Sequence, residues 1–193
     1  IHESYAVKPG DTVLFHAAAG GVGLIAGQWL KALGAFTIGT AGGAEKCALA
    51  KANGFDQVID YTSTNFEAEV MRLPNGEGVN VAYDSVGNDT MARTITSTKR
   101  RGTIIAFGQS SGPYTDFKIT DLSKGSYYLS RPTLFHFVGD RSWLDTASVK
   151  LFKAVTDGPI NASINQRFAW EYLAKTHEAL TGRATTGCTI LTV

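Results

Sequence analysis

The sequence predicts an α/β fold of the Rossmann type, a doubly wound parallel sheet of six strands with helices on both faces. Three observations carry this. From Val13 to Gly108, β-forming apolar runs alternate with stretches of helical periodicity, a spacing that calls for parallel strands joined by right-handed crossovers. The first run, Val13-Leu14-Phe15-His16, breaks into Ala17-Ala18-Ala19-Gly20-Gly21-Val22-Gly23 and passes straight into an amphipathic helix. That turn fits G-x-G-x-x-G, with Ala18, Gly20 and Gly23 in the three slots, and it lets a phosphate approach the orphan N–H groups of a helix start.

The elements follow in order. Lys8-Pro9-Gly10-Asp11 is a turn before strand one. Val22, Ile25, Ala26, Trp29, Leu30 and Leu33 recur at helical spacing, and Gly34 closes that helix. Strand two is expected over Phe36 to Thr40, a helix over Ala44 to Ala52 and strand three over Gln57 to Tyr61. A helix from Asn65 to Arg72 stops before Pro74, strand four runs from Val79 to Val86, and a helix covers Thr90 to Thr98. The basic run Lys99-Arg100-Arg101 reads as that helix's solvated end, and Gly102 to Gly108 as strand five. A loop with a short helical turn fills Ser110 to Lys124. Ser126 to Phe137 is rich in aromatics and reads as strand six, at an edge because of Pro132. Trp143 to Thr156 has helical spacing, Gly158-Pro159 marks a boundary, and a strand, a helix and a last strand follow near Asn165, Trp170 and Cys188.

Composition sets bounds. A chain of 193 residues, 44% hydrophobic and 18% charged, suffices for a sizeable core. A formal net charge of +1 gives no electrostatic case for nucleic acid or a membrane surface. Cys47 and Cys188 are too few and too far apart for a zinc cluster or a disulfide framework, so a reducing cytoplasmic setting is expected. The chain opens on Ile1 with about eleven residues before the first strand, and a fragment of a longer protein is expected.

Ligands in such sheets sit beyond the carboxyl ends of the strands. That rule collects Gly20 to Val22, Gly39 to Gly43, Tyr61, Ser85 to Gly87 and Phe107 to Gln109 along one edge. An NAD-preferring site carries Asp or Glu at the end of strand two, but Thr40-Ala41-Gly42-Gly43 holds no carboxylate. Lys46 follows on the next helix, where an ammonium can pair with a 2′-phosphate, and Tyr61 can pack beside it. These absences and cations point to NADPH. His16 reads as a structural histidine. His2, His136 and His177 are scattered, Asp84 with Ser85 reads as a strand-end cap, and Asp89 with Arg93 as a helix-surface pair. No catalytic side chain and no metal site is expected.

The segments His16 to Gly23, Ala82-Tyr83-Asp84-Ser85-Val86-Gly87, Arg101-Gly102, Phe107-Gly108, Ser130-Arg131-Pro132 and Gly182-Arg183-Ala184-Thr185-Thr186-Gly187 together resemble the zinc-independent medium-chain reductases. Within that superfamily the chain is most similar to the NADPH:quinone oxidoreductase, or zeta-crystallin-like, family. The resemblance implies that Ala19, Gly20, Gly21 and Val22 line the pyrophosphate, and that Gly39, Lys46 and Tyr61 surround the 2′-phosphate. Ser85 and Val86 would lie near adenine and ribose, Phe107, Gly108 and Ser110 near the nicotinamide, and Arg183 would reach back to the cofactor. It implies an NADP-binding Rossmann domain over residues 1–158. The strand-helix-strand of residues 159–193 would belong to an otherwise missing GroES-like domain. The activity implied is hydride transfer from NADPH to a small-molecule quinone or related electron-poor acceptor, weak in this part alone. A homodimer through Tyr127 to Phe135 is also implied. An enoyl or alkenal reductase and a nucleotide-binding crystallin or RNA-contacting module stand as alternatives.

Overall fold

The computed structural model describes residues 1–73, 76–182 and 184–193. Strands β1 (Thr12–Phe15), β2 (Phe36–Ala41), β3 (Gln57–Asp60), β4 (Val79–Asp84), β5 (Thr98–Ala106) and β6 (Tyr128–Ser130) form one sheet. Their order is β3-β2-β1-β4-β5-β6, every neighbouring pair parallel. The strand order reverses between β1 and β4, and there such a sheet opens a crevice at its carboxyl edge. A parallel sheet covered on both faces needs strands apolar on both sides. Val13 and Phe15 accordingly pack with Leu30, Phe55, Val81 and Tyr83, while the intervening Leu14 packs with Ile38, Phe66, Val70 and Ala82. Strand periodicity of two sends alternate residues of β1 into these two separate cores.

Helices α1 (Gly21–Ala32), α2 (Ala44–Ala52), α3 (Phe66–Arg72) and α4 (Met91–Thr96) link the first five strands. Gly34 follows α1 at φ +78°, the left-handed conformation that ends helices. Asn65 caps α3 by accepting from the Glu67 N–H; Pro74, expected to stop that helix, lies outside the described residues.

Two expectations need correction. Strand β5 begins at Thr98, so Lys99, Arg100 and Arg101 belong to a strand and not to a helix end. The register slips between Val79 and Val81 of β4, and the extra residues of β5 include Arg101 at φ +59°, whose N–H donates to the Gly125 carbonyl. This is a bulge, whose extra residues stay out of the ladder and bend the strand before pairing resumes at Thr103. The predicted sixth strand over Ser126–Phe137 is only Tyr128–Ser130, and Leu134–Val138 form helix α5. Pro132 has no N–H to continue the ladder, and the near-continuous apolar run after it lacks the alternation of a strand. The edge assigned to Tyr127–Phe135 is therefore three residues of strand followed by a helix.

Helix α6 (Arg141–Thr156) follows, capped by Asp140, whose carboxylate accepts from the N–H groups of Ser142 and Trp143. Strands β7 (Ile164–Ala169) and β8 (Cys188–Thr192) then pair in parallel as a separate two-stranded sheet, with α7 (Leu173–Thr181) between them. This segment reaches back to the first helix: the Gln28 side chain donates to the Asn161 carbonyl at 3.1 Å and accepts from the Asn161 N–H at 2.7 Å. Among the described residues no helix is long and apolar enough to cross a membrane.

Candidate dinucleotide site

The turn after β1 closes with the Gly20 N–H donating to the Ala17 carbonyl at 2.9 Å. Its left-handed residue is Ala17, at φ +55°, and not the Ala18 that fills the first glycine slot. The missing glycine is thus accommodated by moving the strained conformation one residue upstream, where alanine bears it. Gly23 is required for another reason: a Cβ there would sit 2.5 Å from the carbonyl oxygens of both Ala17 and Ala18. The helix start therefore presses directly on the turn, and its first N–H groups and dipole face the crevice.

Two cavities flank this turn. A cleft of about 260 Å³ is lined by Ala19, Gly20, Thr40, Lys46, Tyr61 and Val86, with Phe66, Asp89, Thr90, Arg93, Ser110 and Thr185 completing its wall. On the other side, Val22, Trp29, Phe107, Pro132, Phe137 and Trp143 contribute to an apolar cavity of about 600 Å³. The Val22 side chain is 64% exposed there.

The expected site residues divide accordingly. Ala19, Gly20, Lys46, Tyr61, Val86 and Ser110 meet in the first cleft, and Val22 and Phe107 in the second cavity. Gly21 backs onto the Gly187 carbonyl, 3.1 Å from where a Cβ would stand. Gly108 has the same relation to Ser85, whose carbonyl oxygen would lie 2.6 Å from a Cβ on the glycine. Gly39 is not at the cleft: a Cβ on it would lie 2.7 Å from Ala18 Cβ and 3.0 Å from the Phe55 ring, so it lets the turn settle on the sheet. Gly42, three residues on, holds the cleft position, and a Cβ there would meet the Tyr61 hydroxyl at 2.9 Å. Arg183 lies outside the described residues. Near it, Thr185 lines the cleft, and the Gly187 N–H donates to the Ala19 carbonyl at 2.8 Å, fastening the C-terminal segment over the turn.

No carboxylate stands at the end of β2, but one stands at the end of β3. Asp60 accepts from the Gly43 N–H at 3.0 Å, the Thr62 N–H at 3.0 Å and the Thr62 hydroxyl at 2.6 Å. Those bonds, the Thr62 hydroxyl foremost, hold its carboxyl below the ordinary value. It serves the α2 N-terminus and the β3 turn.

The residues that sequence reasoning underrated are Arg93, Phe66 and Thr40. Arg93, half of a surface pair by sequence, has its guanidinium 4.6 Å over the Phe66 ring and lines the cleft, while one nitrogen donates to the Asp89 carbonyl. Phe66 opens α3 with no side-chain exposure. Only the folding of α3 against α4 brings these together.

Strand order, glycine turn and crevice define a Rossmann-type dinucleotide-binding domain. The chain belongs to the zinc-binding dehydrogenase family, whose model matches residues 21–141. It is 43% identical to a quinone oxidoreductase of Pseudomonas aeruginosa and 41% identical to quinone oxidoreductase 1 of Escherichia coli. In both comparisons 99% of this chain is aligned, and it spans 59% of the relative's length. The solved structure of the Escherichia coli quinone oxidoreductase in complex with NADPH superposes with a TM-score of 0.95 at 40% identity, over all of this chain and 60% of that one. A 2-haloacrylate reductase from a Burkholderia species is 38% identical over 99% of this chain and 58% of its own length. The family's description names zinc, but among the described residues no group of three or more His, Cys, Asp or Glu side chains could hold a metal.

Proposed function

We propose that this chain is the cofactor-binding portion of an NADPH-dependent quinone oxidoreductase. The observation that carries the reading is the glycine turn standing between a cleft that holds Lys46, Tyr61 and Arg93 and a wider cavity with the aromatic side chains of Phe107, Phe137 and Trp143. A dinucleotide has that shape: a phosphorylated adenosine at one end, a pyrophosphate in the middle and a flat aromatic ring at the other. The residues fit it, because the turn presents helix N–H groups to the pyrophosphate and no β2 carboxylate opposes a 2′-phosphate.

When bound, NADPH supplies the hydride. This chain's part is to seat it: Lys46 offers a charge to the 2′-phosphate, Gly42 leaves room for the Tyr61 phenol, and the apolar cavity keeps water from the nicotinamide end. The reading extends to a quinone-like acceptor, a cytoplasmic location, and a division at residue 158 with residues 159–193 packing on a GroES-like domain. The paired β7 and β8, separate from the main sheet, favour that division. It also includes a homodimer through the exposed edge of β6, where Tyr128 is 60% exposed. A second reading takes an electron-poor alkene as acceptor, favoured by the similarity to the 2-haloacrylate reductase.

Calorimetry with NADPH and NADH tests the cofactor assignment. We expect NADPH to bind at least tenfold more tightly, a difference of about 1.4 kcal/mol, and Lys46→Ala to remove most of that preference. Equal affinity for the two would refute it.

A further inference from the structure

Under the cleft, reaching its wall at Thr40 and Thr90, lies a chain of buried polar side chains that the cofactor reading does not use. His16, with no exposed surface, approaches Thr40 Oγ1 with Nδ1 at 2.8 Å and Thr94 Oγ1 with Nε2 at 2.9 Å. The Thr94 hydroxyl donates to Asp84 Oδ2 at 2.8 Å, and the Thr90 hydroxyl donates to the same oxygen at 2.8 Å. The other oxygen, Asp84 Oδ1, accepts the N–H groups of Val86 at 2.8 Å and Gly87 at 2.9 Å.

The proton positions follow from the end of the chain. The Thr94 hydroxyl faces two acceptors, Asp84 Oδ2 at 2.8 Å and the Thr90 carbonyl at 3.0 Å, and with its single proton directed to them it accepts from His16 Nε2–H. In a neutral imidazole Nδ1 then carries the lone pair and accepts from the Thr40 hydroxyl. Burial lowers the His16 pKa, against the opposing pull of Asp84 and with Arg93 adding to the lowering, which agrees with that geometry.

The chain's two ends are both walls of the cleft. Thr40, one residue before the end of β2, stands on one side; Thr90 and Val86 stand on the other. His16 lies between them, just past β1, where the strand order reverses. At such a point the crossovers leave on opposite faces; β2 and β4 are joined through β1 between them, and past the last residue of β1 the backbone adds His16 N–H to the Tyr83 carbonyl at 3.0 Å and Ala18 N–H to the Thr40 carbonyl at 2.9 Å. We propose that His16 is a positioning residue for the dinucleotide. Its two side-chain hydrogen bonds extend the β1 pairing beneath the cleft and hold the wall that takes the 2′-phosphate and ribose against the wall that takes the adenine. A fully satisfied buried network has one geometry, so the cleft is held at working width before the ligand arrives. This inference rests on the dinucleotide reading.

The test measures NADPH and 2′,5′-ADP affinity in wild type, His16→Phe, Thr40→Val, Thr94→Val and the His16→Phe/Thr40→Val double variant. Phenylalanine keeps a ring against Phe66, which His16 meets edge-on at 4.9 Å, but offers no hydrogen bond. Each single variant should weaken both ligands about tenfold, and the double variant no further than His16→Phe alone, since one chain is being cut twice. His16→Gln, whose amide nitrogen reaches the Nε2 position and can donate to Thr94, should restore part of the loss. A purely structural histidine would produce neither the coupling nor the rescue. Should His16→Phe fail to fold, the pair Thr40→Val and Thr94→Val supplies the same cycle. Wild type that binds neither ligand would overturn the dinucleotide reading itself. Wild-type binding with His16→Phe unchanged within twofold, or with losses that add, would overturn this inference alone.

Discussion

The part of the molecule up to Ala106 and the part after it differ in how they use apolar residues. Among the described residues, the buried hydrophobic side chains all lie at or before Ala106 except Ile160. Helix α6 buries no residue, although Val149 and Phe152 sit on it at 66% and 65% exposure, and Phe135 of α5 is 80% exposed. A sheet covered on both faces completes its own core, whereas the later elements display apolar faces that the described residues do not cover. Stability therefore resides in the first part, which also supplies all of the cleft wall except Ser110 and Thr185.

The largest effect that can break this comparison is a core truncation. Leu30 on α1 is fully buried among Val13, Phe15 and Phe55, so Leu30→Ala should cost about 2–5 kcal/mol by denaturant unfolding, the transfer loss plus the cavity. A cost below about 1 kcal/mol would mean that the sheet is not the stabilising unit.

Legibility from sequence follows the same division. Through the first four strands the periodicity was enough, because each apolar run finds its partner inside the same sheet; Val13 and Phe15 against Leu14 show the two-sided burial directly. The β5 bulge escaped because a positive φ at Arg101 leaves no compositional mark. After Gln109, Leu134-Phe135-His136-Phe137-Val138 carries strand propensity yet forms a helix, since propensity is a weak prior where packing does not decide. In the cleft, the turn, Lys46 and Tyr61 were readable from motif and spacing. Gly39 was misplaced by three residues because sequence does not say whether a glycine serves a ligand or a neighbouring turn. The role of His16 depends on Thr40 and Thr94, which lie 24 and 78 residues away, and no local pattern joins them.

A smaller effect sharpens the comparison through pH. The folded His16 pKa lies below the ordinary 6.5, so the unfolded chain takes up the proton first. The sign is fixed: stability is fully present above pH 6.5 and declines as pH falls below it, because there the unfolded state binds more protons. His2 is also lowered, burial first among the causes, so it contributes in the same direction. Unfolding measured from pH 8 to pH 5 should therefore show a decline that His16→Phe reduces and His2→Phe leaves largely in place. The carboxyls of Asp60, Asp121 and Asp140 are held low by hydrogen bonds, and their contribution is lost only as pH falls below their ordinary 3.8, outside this window. An unchanged slope in His16→Phe would place the decisive titration outside the network beneath the cleft.

The smallest effect is expected on the exposed face of α6. Phe152→Ser removes an aromatic ring that is 65% exposed and leaves the flanking surface pairs Arg141–Asp145 and Lys153–Asp157 intact. Exposed substitutions of this kind stay within about 0.5 kcal/mol, and the loss of helix propensity from Phe to Ser is slight. The same residue belongs to an apolar patch with Val149, and such patches promote association when nothing covers them. Phe152→Ser should thus leave the unfolding midpoint nearly unchanged while raising the concentration at which light scattering detects association. A destabilisation above about 1.5 kcal/mol would show instead that α6 packs in solution against part of this chain, and that the two parts are one cooperative unit.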